Sequence, residues 1–180
     1  MNEEEEIITK MKIVSILAHV ILDKALNLEQ ISKVFENATF PLKTKGWLKY
    51  RLPPENYYIA FYKSGKFSVS GQKNCNEVYS IANRVIKCLN EKGIELKIVK
   101  IKIINIVVLN EISLPSNLEN ILQKLDFYKV SYEPEQFPGL IYKDFGATFL
   151  LFSNGKLIIT GIKDFKNIPN FISSFYNLIK

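Results

Sequence analysis

Residues 132–142 read Tyr132-Glu133-Pro134-Glu135-Gln136-Phe137-Pro138-Gly139-Leu140-Ile141-Tyr142, and the half of the chain that carries them is a degenerate copy of the half before it. Lys12-Ile13 answers Lys102-Ile103, Asn27-Leu28-Glu29 answers Asn117-Leu118-Glu119, and Gly65, Lys66 and Gly71 answer Gly155, Lys156 and Gly161, all at an offset of 90. Leu48, Tyr50 and Arg51 answer Leu140, Tyr142 and Lys143 at 92, a two-residue gap made up in the next turn. Two copies of about 90 residues with one pattern predict a single pseudo-symmetric fold, not two domains on a linker.

Composition bounds the class. The chain has 180 residues, 47% of them hydrophobic, enough for a sizeable core. No apolar run reaches the roughly 18–20 residues of a membrane span, and the N-terminus is acidic where a secretory signal is basic; a soluble, intracellular protein is expected. Cys75 and Cys88 fall on one expected helix, with twelve residues between them and no His or second Cys nearby, which predicts packed or half-exposed thiols in a reducing compartment. His19 is the only histidine and has no nucleophile or carboxylate at motif spacing, so it reads as a strand residue. No cofactor site and no enzymatic constellation is expected.

Periodicity gives the elements. Residues 1–9, with Glu3 to Glu6, read as a solvated acidic tail. Met11–Val20 and Lys97–Leu109 are Ile/Val-rich strands that open two repeats, residues 10–93 and 94–180. Leu28, Ile31, Val34 and Phe35 then share a helical face after Asn27, as do Leu118, Ile121, Leu122 and Leu125 after the capping box Ser116-x-x-Glu119. Short strands follow at Phe40–Lys43, Trp47–Leu52, Tyr57–Tyr62 and Lys66–Ser70, and again at Val130–Tyr132, Leu140–Lys143, Thr148–Phe152 and Lys156–Thr160. Each half closes in a longer helix, one along Val78, Ile81, Ala82, Val85, Ile86 and Leu89 up to Gly93, the other from about Asn167 to Ile179.

The fold class implied is α+β: a long curved antiparallel sheet with four helices on one face only. What lies on the other face follows from alternation. In Phe149-Leu150-Leu151-Phe152 and Leu157-Ile158-Ile159-Thr160 both parities are apolar, although only one can face the helices. In the strand from Ile103, the residues Ile104, Ile106 and Val108 point one way and Asn105, Val107 and Leu109 the other. An uncovered apolar sheet face marks a binding surface or a dimer interface.

These residues resemble the TATA-box-binding protein family. The likeness rests on Ile103-Ile104-Asn105-Ile106-Val107, on the eleven residues from Tyr132, and on Leu151 to Gly161; with the duplication it covers about 170 positions. The Glu-Gln-Phe-Pro-Gly wording and the short N-terminal extension are of the archaeal kind. The resemblance implies one continuous pseudo-two-fold saddle with four helices on its convex face, whose concave sheet lies in a widened minor groove of double-stranded promoter DNA. It also implies general transcription initiation, recruitment of transcription factor B, and a cytoplasmic, nucleoid-associated place. A homodimer through the concave face without DNA is compatible with it. There, A·T pairs present only acceptors and G·C adds an amino group, so a flat hydrocarbon face selects A·T by shape. Inserted side chains kink the duplex, and this family is itself the standing example of that wedge.

Carried over by position, Asn105 and Thr160 would bond base edges, Val107, Leu150 and Ile158 would cover the groove floor, and Phe137 with Phe152, backed by Pro138, would form the wedge. The first half departs from this. Ser15 stands for the asparagine, Leu17 for the valine, Ala60 for the leucine, Ser68 for a second valine, Ser70 for the threonine, and Lys45 with Tyr62 for the wedge. Such losses cost about 2–5 kcal/mol, at about 1.5–3 kcal/mol per large apolar side chain. Trp47 is open to two readings, a substitute stacking residue or packing under the loop. The formal charge is +6, and Lys43, Lys45, Lys49, Arg51, Lys63, Lys66, Lys143 and Lys156 fall on strands and turns that would border the groove as phosphate contacts. Glu133, Glu135 and Gln136 form the loop on which the family docks transcription factor B; Pro41-Leu42-Lys43-Thr44, its counterpart, has no acidic residue. Two rivals stand beside this reading: an interaction protein that keeps the partner loop but binds DNA weakly, and an accessory domain of a nuclease or glycosylase with the same topology.

Overall fold

The computed structural model describes residues 11–41 and 46–180. The acidic tail and residues 42–45, with Lys43 and Lys45, lie outside the described residues. Contacts divide the described chain into two compact units, residues 15–104 and residues 105–180 together with 11–14.

In the first unit β1 (Lys12–Leu22), β2 (Trp47–Leu52), β3 (Tyr57–Tyr62) and β4 (Lys66–Gln72) pair antiparallel in the order β2-β3-β4-β1. Helices α1 (Leu28–Val34) and α2 (Cys75–Glu91) cover one face. The alternation of β-branched and aromatic residues makes these strands, and their buried parity, Ile16, Ala18, Val20, Leu48, Ile59, Phe61, Phe67 and Val69, forms the core with Ile31, Ile81, Val85 and Leu89. Phe35 stacks on Tyr50 at 4.4 Å between ring centroids and on Phe61 at 5.7 Å, and each such buried ring stabilises the fold by about 1.5–3 kcal/mol. Asn74 caps α2 by accepting from the Glu77 N–H at 2.9 Å, while Glu77 reaches back to the Lys73 N–H and to Tyr57. Gly93 ends it.

The second unit repeats the plan. β5 (Ile98–Glu111, from Asn105 onward), β6 (Val130–Ser131), β7 (Leu140–Asp144), β8 (Ala147–Leu151) and β9 (Lys156–Ile162) pair antiparallel in the order β5-β9-β8-β7-β6. Helices α3 (Leu118–Lys124) and α4 (Ile168–Ile179) pack on it, with Phe175 stacked on Phe149 at 4.6 Å and 10°. The duplication reaches single bonds: the Leu22 N–H donates to Gly65 O and the Ile112 N–H to Gly155 O, both at 2.9 Å. The α+β class, the antiparallel pairing and the four α-helices from two tandem repeats agree with the sequence.

Two local expectations need correction. In the described part of Phe40–Lys43 there is no strand; an isolated bridge joins Thr39 and Lys49 instead. Pro41 has no N–H for a ladder, which stops pairing there. The cap of α3 is Asn117, whose Oδ1 accepts from the Asn120 N–H at 3.0 Å, and Ser116 donates to the Asn117 carbonyl at 3.4 Å. Asn27 caps α1 in the same way, through the Glu29 and Gln30 N–H groups. The repeated Asn-Leu-Glu thus places a stronger acceptor one residue inside the predicted box.

Candidate nucleic-acid interface

Each unit has a helix-free sheet face that carries expected interface residues. In the second unit Asn105, Val107, Leu109, Ile141, Leu150, Ile158 and Thr160 all lie half-buried on that face, while Ile106, Val108, Tyr142, Phe149, Leu151, Leu157 and Ile159 are buried on the other. Ile141 faces Leu150, Leu150 faces Ile158 and Ile158 faces Leu109, one aliphatic rung across four strands. Beside it Asn105 Oδ1 accepts from the Gly161 N–H at 2.7 Å, and Nδ2 stands 3.0 Å from Thr160 Oγ1. The Gly161 bond fixes which way the amide points. One of the two Nδ2 hydrogens faces Thr160 and the other is free to meet an acceptor on the open side. Gly161 adopts φ +92°, which a residue with a Cβ enters only with strain, where the register between β5 and β9 shifts.

At the end of this face Phe137 and Phe152 meet edge to face, 5.7 Å between centroids at 66°. Both are half-buried, with Pro138 exposed beside them. Gly139 makes the pair possible: a Cβ there would sit 2.7 Å from Phe137 Cε1 and 3.0 Å from Phe152 Cε1. Glu133 O accepts from both the Gln136 and the Phe137 N–H at 2.9 Å, a turn that leaves Glu133, Glu135 and Gln136 exposed.

The first unit presents another surface. Ser15, Leu17, His19, Tyr58, Tyr62, Lys66 and Ser70 are half-buried on the helix-free face, and Ala60 and Ser68 on the same face are buried. Trp47 is the register partner of Tyr62, 6.5 Å and 25° away, and Lys66 Nζ stands 5.3 Å over the Tyr62 ring. Trp47 thus lies on the open-face parity of β2, at the position Gly139 holds in the second half. Lys49 and Arg51 are exposed along β2, with the Arg51 guanidinium 5.0 Å over Tyr58. Burial, then the charges of Lys66 and Lys102, lower the His19 pKa below its ordinary value. Of the remaining cations Lys143 and Lys156 are exposed in the second unit, and Lys63 lines a surface cavity with Leu26, Leu28 and Phe40.

Several of these residues escaped the sequence reading as site residues. Leu109 and Ile141 were legible from alternation; Gly161 and Gly139 act through backbone geometry that a sequence does not state. Phe127, 83% exposed, lines a surface groove with Tyr132 and Glu133 and carried no periodic signal.

Two tandem α+β repeats, each with one helix-covered and one open sheet face, define a class of duplicated sheet-surface proteins. The profile of the family described as "Transcription factor TFIID (or TATA-binding protein, TBP)" matches residues 10–92 and 100–180, and the chain belongs to that family. It is 34% identical over 156 residues to the TATA-box-binding protein of Aeropyrum pernix, covering 86% of this chain and 76% of the relative. The TATA-box-binding protein of Sulfolobus acidocaldarius is 35% identical over 159 residues, 85% of this chain and 78% of the relative. The solved structure of Methanococcus jannaschii TBP superposes with a TM-score of 0.83 at 28% identity, covering 94% of this chain and 98% of that one. Among the described residues no helix is long and apolar enough to cross a membrane.

Proposed function

We propose that the chain is a transcription initiation factor that binds A/T-rich promoter DNA in the minor groove, bends it, and recruits transcription factor B. Residues 10–93 and 94–180 act as the two repeats of one binding domain. The observation that carries this reading is the second-half face, where the oriented Asn105 amide, the rung from Ile141 to Leu109 and the Phe137–Phe152 pair share one side of one sheet. The aliphatic rung fits a groove floor of A·T edges, the Asn105 amide offers a donor to their acceptors, and the phenylalanines supply a wedge at the end. Lys143, Lys156 and Arg51 reach the flanking phosphates, fixing position without reading sequence. Glu133, Glu135 and Gln136 present an exposed acidic turn to a basic partner surface.

The test is binding to duplexes with A·T-rich and G·C-only cores, with and without transcription factor B. Tighter binding to the A·T core, and a ternary complex weakened by Glu133→Lys with Glu135→Lys, are expected. Equal affinity for both cores in both conditions would refute sequence reading.

A further inference from the structure

The open faces of the two units correspond rung by rung, and their chemistry differs. Where the second unit carries Ile141, Leu150, Ile158 and Leu109 as successive register partners, the first carries Lys49, Ala60, Ser68 and His19. Ala60 and Ser68 are 2% and 4% exposed, so the middle of β3 and β4 adds almost no surface of its own. What β2 and β3 show on this face is aromatic and cationic: Trp47, Tyr58 and Tyr62 are half-buried, and Lys49 and Arg51 are exposed. Rings and charges are matched by register. Trp47 pairs with Tyr62 and Tyr62 with Lys66, whose Nζ stands over the Tyr62 ring, while Arg51 pairs with Tyr58 and holds its guanidinium over that ring. The planes of Trp47 and Tyr62 lie within 25° of one another. None of the four strands β1 to β4 carries a carboxylate.

We propose that the open face of the first unit is a stacking platform for single-stranded DNA. Unpaired bases expose their π-faces, and aromatic side chains take them up with little regard to sequence. Four-stranded sheets with rings on an open face hold two or three such bases. Here Tyr58 and Tyr62 lie on one parity of β3, about 13 Å apart along the strand, which sets them under separate bases. Trp47 extends the Tyr62 end. A guanidinium plane also stacks with a base, so the Arg51–Tyr58 pair serves as well as a bare ring. Lys49, between the two aromatic rungs, and Lys66 supply charge for the phosphates, and with no carboxylate on these strands nothing opposes a polyanion. The same charges set two copies of this face against one another. In the second unit the corresponding rung has no ring among its four members and suits a duplex groove instead. The choice of DNA over RNA rests on the reading of the chain as a minor-groove binder, which makes DNA the nucleic acid it meets.

The test measures binding of the full chain to end-labelled oligo(dT) of about 16 nucleotides, to oligo(U) RNA of the same length and to A·T-rich and G·C-only duplexes, following Trp47 emission in each titration. Oligo(dT) is expected to bind and to quench Trp47. With Lys49, Arg51 and Lys66 engaged, log K is expected to fall against log salt with a slope of about −2. Tyr58→Leu and Trp47→Leu are each expected to weaken oligo(dT) binding about fivefold or more, while Tyr58→Phe, which keeps the ring, stays within about twofold of the wild type. Phe137→Ala, in the second unit, is expected to change it less than about twofold. Should a leucine variant fail to fold, Lys49→Gln with Arg51→Gln, both at exposed positions, decides the matter through a slope shallower by about 1.4. No oligo(dT) binding at a salt concentration where the A·T-rich duplex is bound, full affinity in both leucine variants, an unaltered slope in the glutamine variant, or an equal loss with Phe137→Ala would overturn the proposal. Tighter binding of oligo(U) would overturn its assignment to DNA. Oligo(dT) bound as expected, with equal affinity for the two duplexes, supports this proposal and removes the minor-groove reading alone.

Discussion

Asn105 and Gly161 are joined by a 2.7 Å hydrogen bond from the Gly161 N–H to Asn105 Oδ1, and this bond sets the direction of the Asn105 amide. The side chain at the open face is therefore oriented by a backbone bulge before any ligand arrives. Preorganisation of this kind spares a donor the entropy of being ordered on binding.

Asn105→Ala removes the donor and leaves the Gly161 N–H without this partner. Affinity for an A·T-rich duplex should fall by about tenfold or more, at about 1–3 kcal/mol per specific base contact, while melting should show no more than about 0.5–1.5 kcal/mol lost, because the freed Gly161 N–H is exposed and bonds water instead. Asn105→Asp keeps the acceptor for Gly161 and loses the donor. Retained stability with lost affinity in that variant separates the two roles; equal losses of both would sink the assignment.

Phe137 and Phe152 touch because residue 139 has no Cβ. Gly139→Ala should splay the pair and reduce duplex bending, read by energy transfer between end labels. Phe137→Ala should weaken binding by about ten- to a hundredfold, the loss of one large apolar contact. An interaction protein that does not bend DNA would show no change in bending with either variant.

Salt dependence counts phosphate contacts. With about six cations engaged, log K should fall against log salt with a slope near −5, and replacing Lys143 and Lys156 by Ala should reduce it by about 2. A slope unaltered by the double replacement removes those two residues from the contact set.

Asp144 accepts from Lys129 Nζ at 3.0 Å, the Tyr142 hydroxyl at 2.9 Å and the Phe145 N–H at 2.8 Å. The Lys129 bond, more than the other two, holds its carboxyl below the ordinary 3.8, against the upward push of burial. A depressed carboxylate stabilises the fold above its unfolded value, and that stability is lost as pH falls through the lowered folded value. Asp144→Asn should flatten the acid limb of a melting curve. Burial and Asp144 push the Tyr142 hydroxyl up from 10.0 to about 12, so its contribution is full below 10.0 and is lost as pH rises toward 12. Tyr142→Phe should abolish that alkaline limb; one that survives in the variant assigns it elsewhere.

The sequence carried the repeat, the open face and the second-half set of residues, because duplication and two-residue alternation are one-dimensional signals. Asn105, Val107 and Leu109 were legible on one parity of β5 before any pairing was known. The His19–Ser68–Ala60–Lys49 rung was not, since it exists only through register between four strands that are distant in sequence. The strand expected from Phe40 gave way to a single bridge because Pro41 withholds a donor, and the α3 cap moved to Asn117 because two acceptors competed at neighbouring positions. Trp47 was ambiguous for a related reason: its place opposite Tyr62 depends on hairpin geometry.

Trp47 is the chain's one tryptophan, and it lies on the open face of the first unit against Tyr62. Its emission is thus an unlabelled optical probe of that surface alone. Quenching or a spectral shift on adding a duplex reports occupancy of the first repeat, while changes confined to the second leave the signal flat.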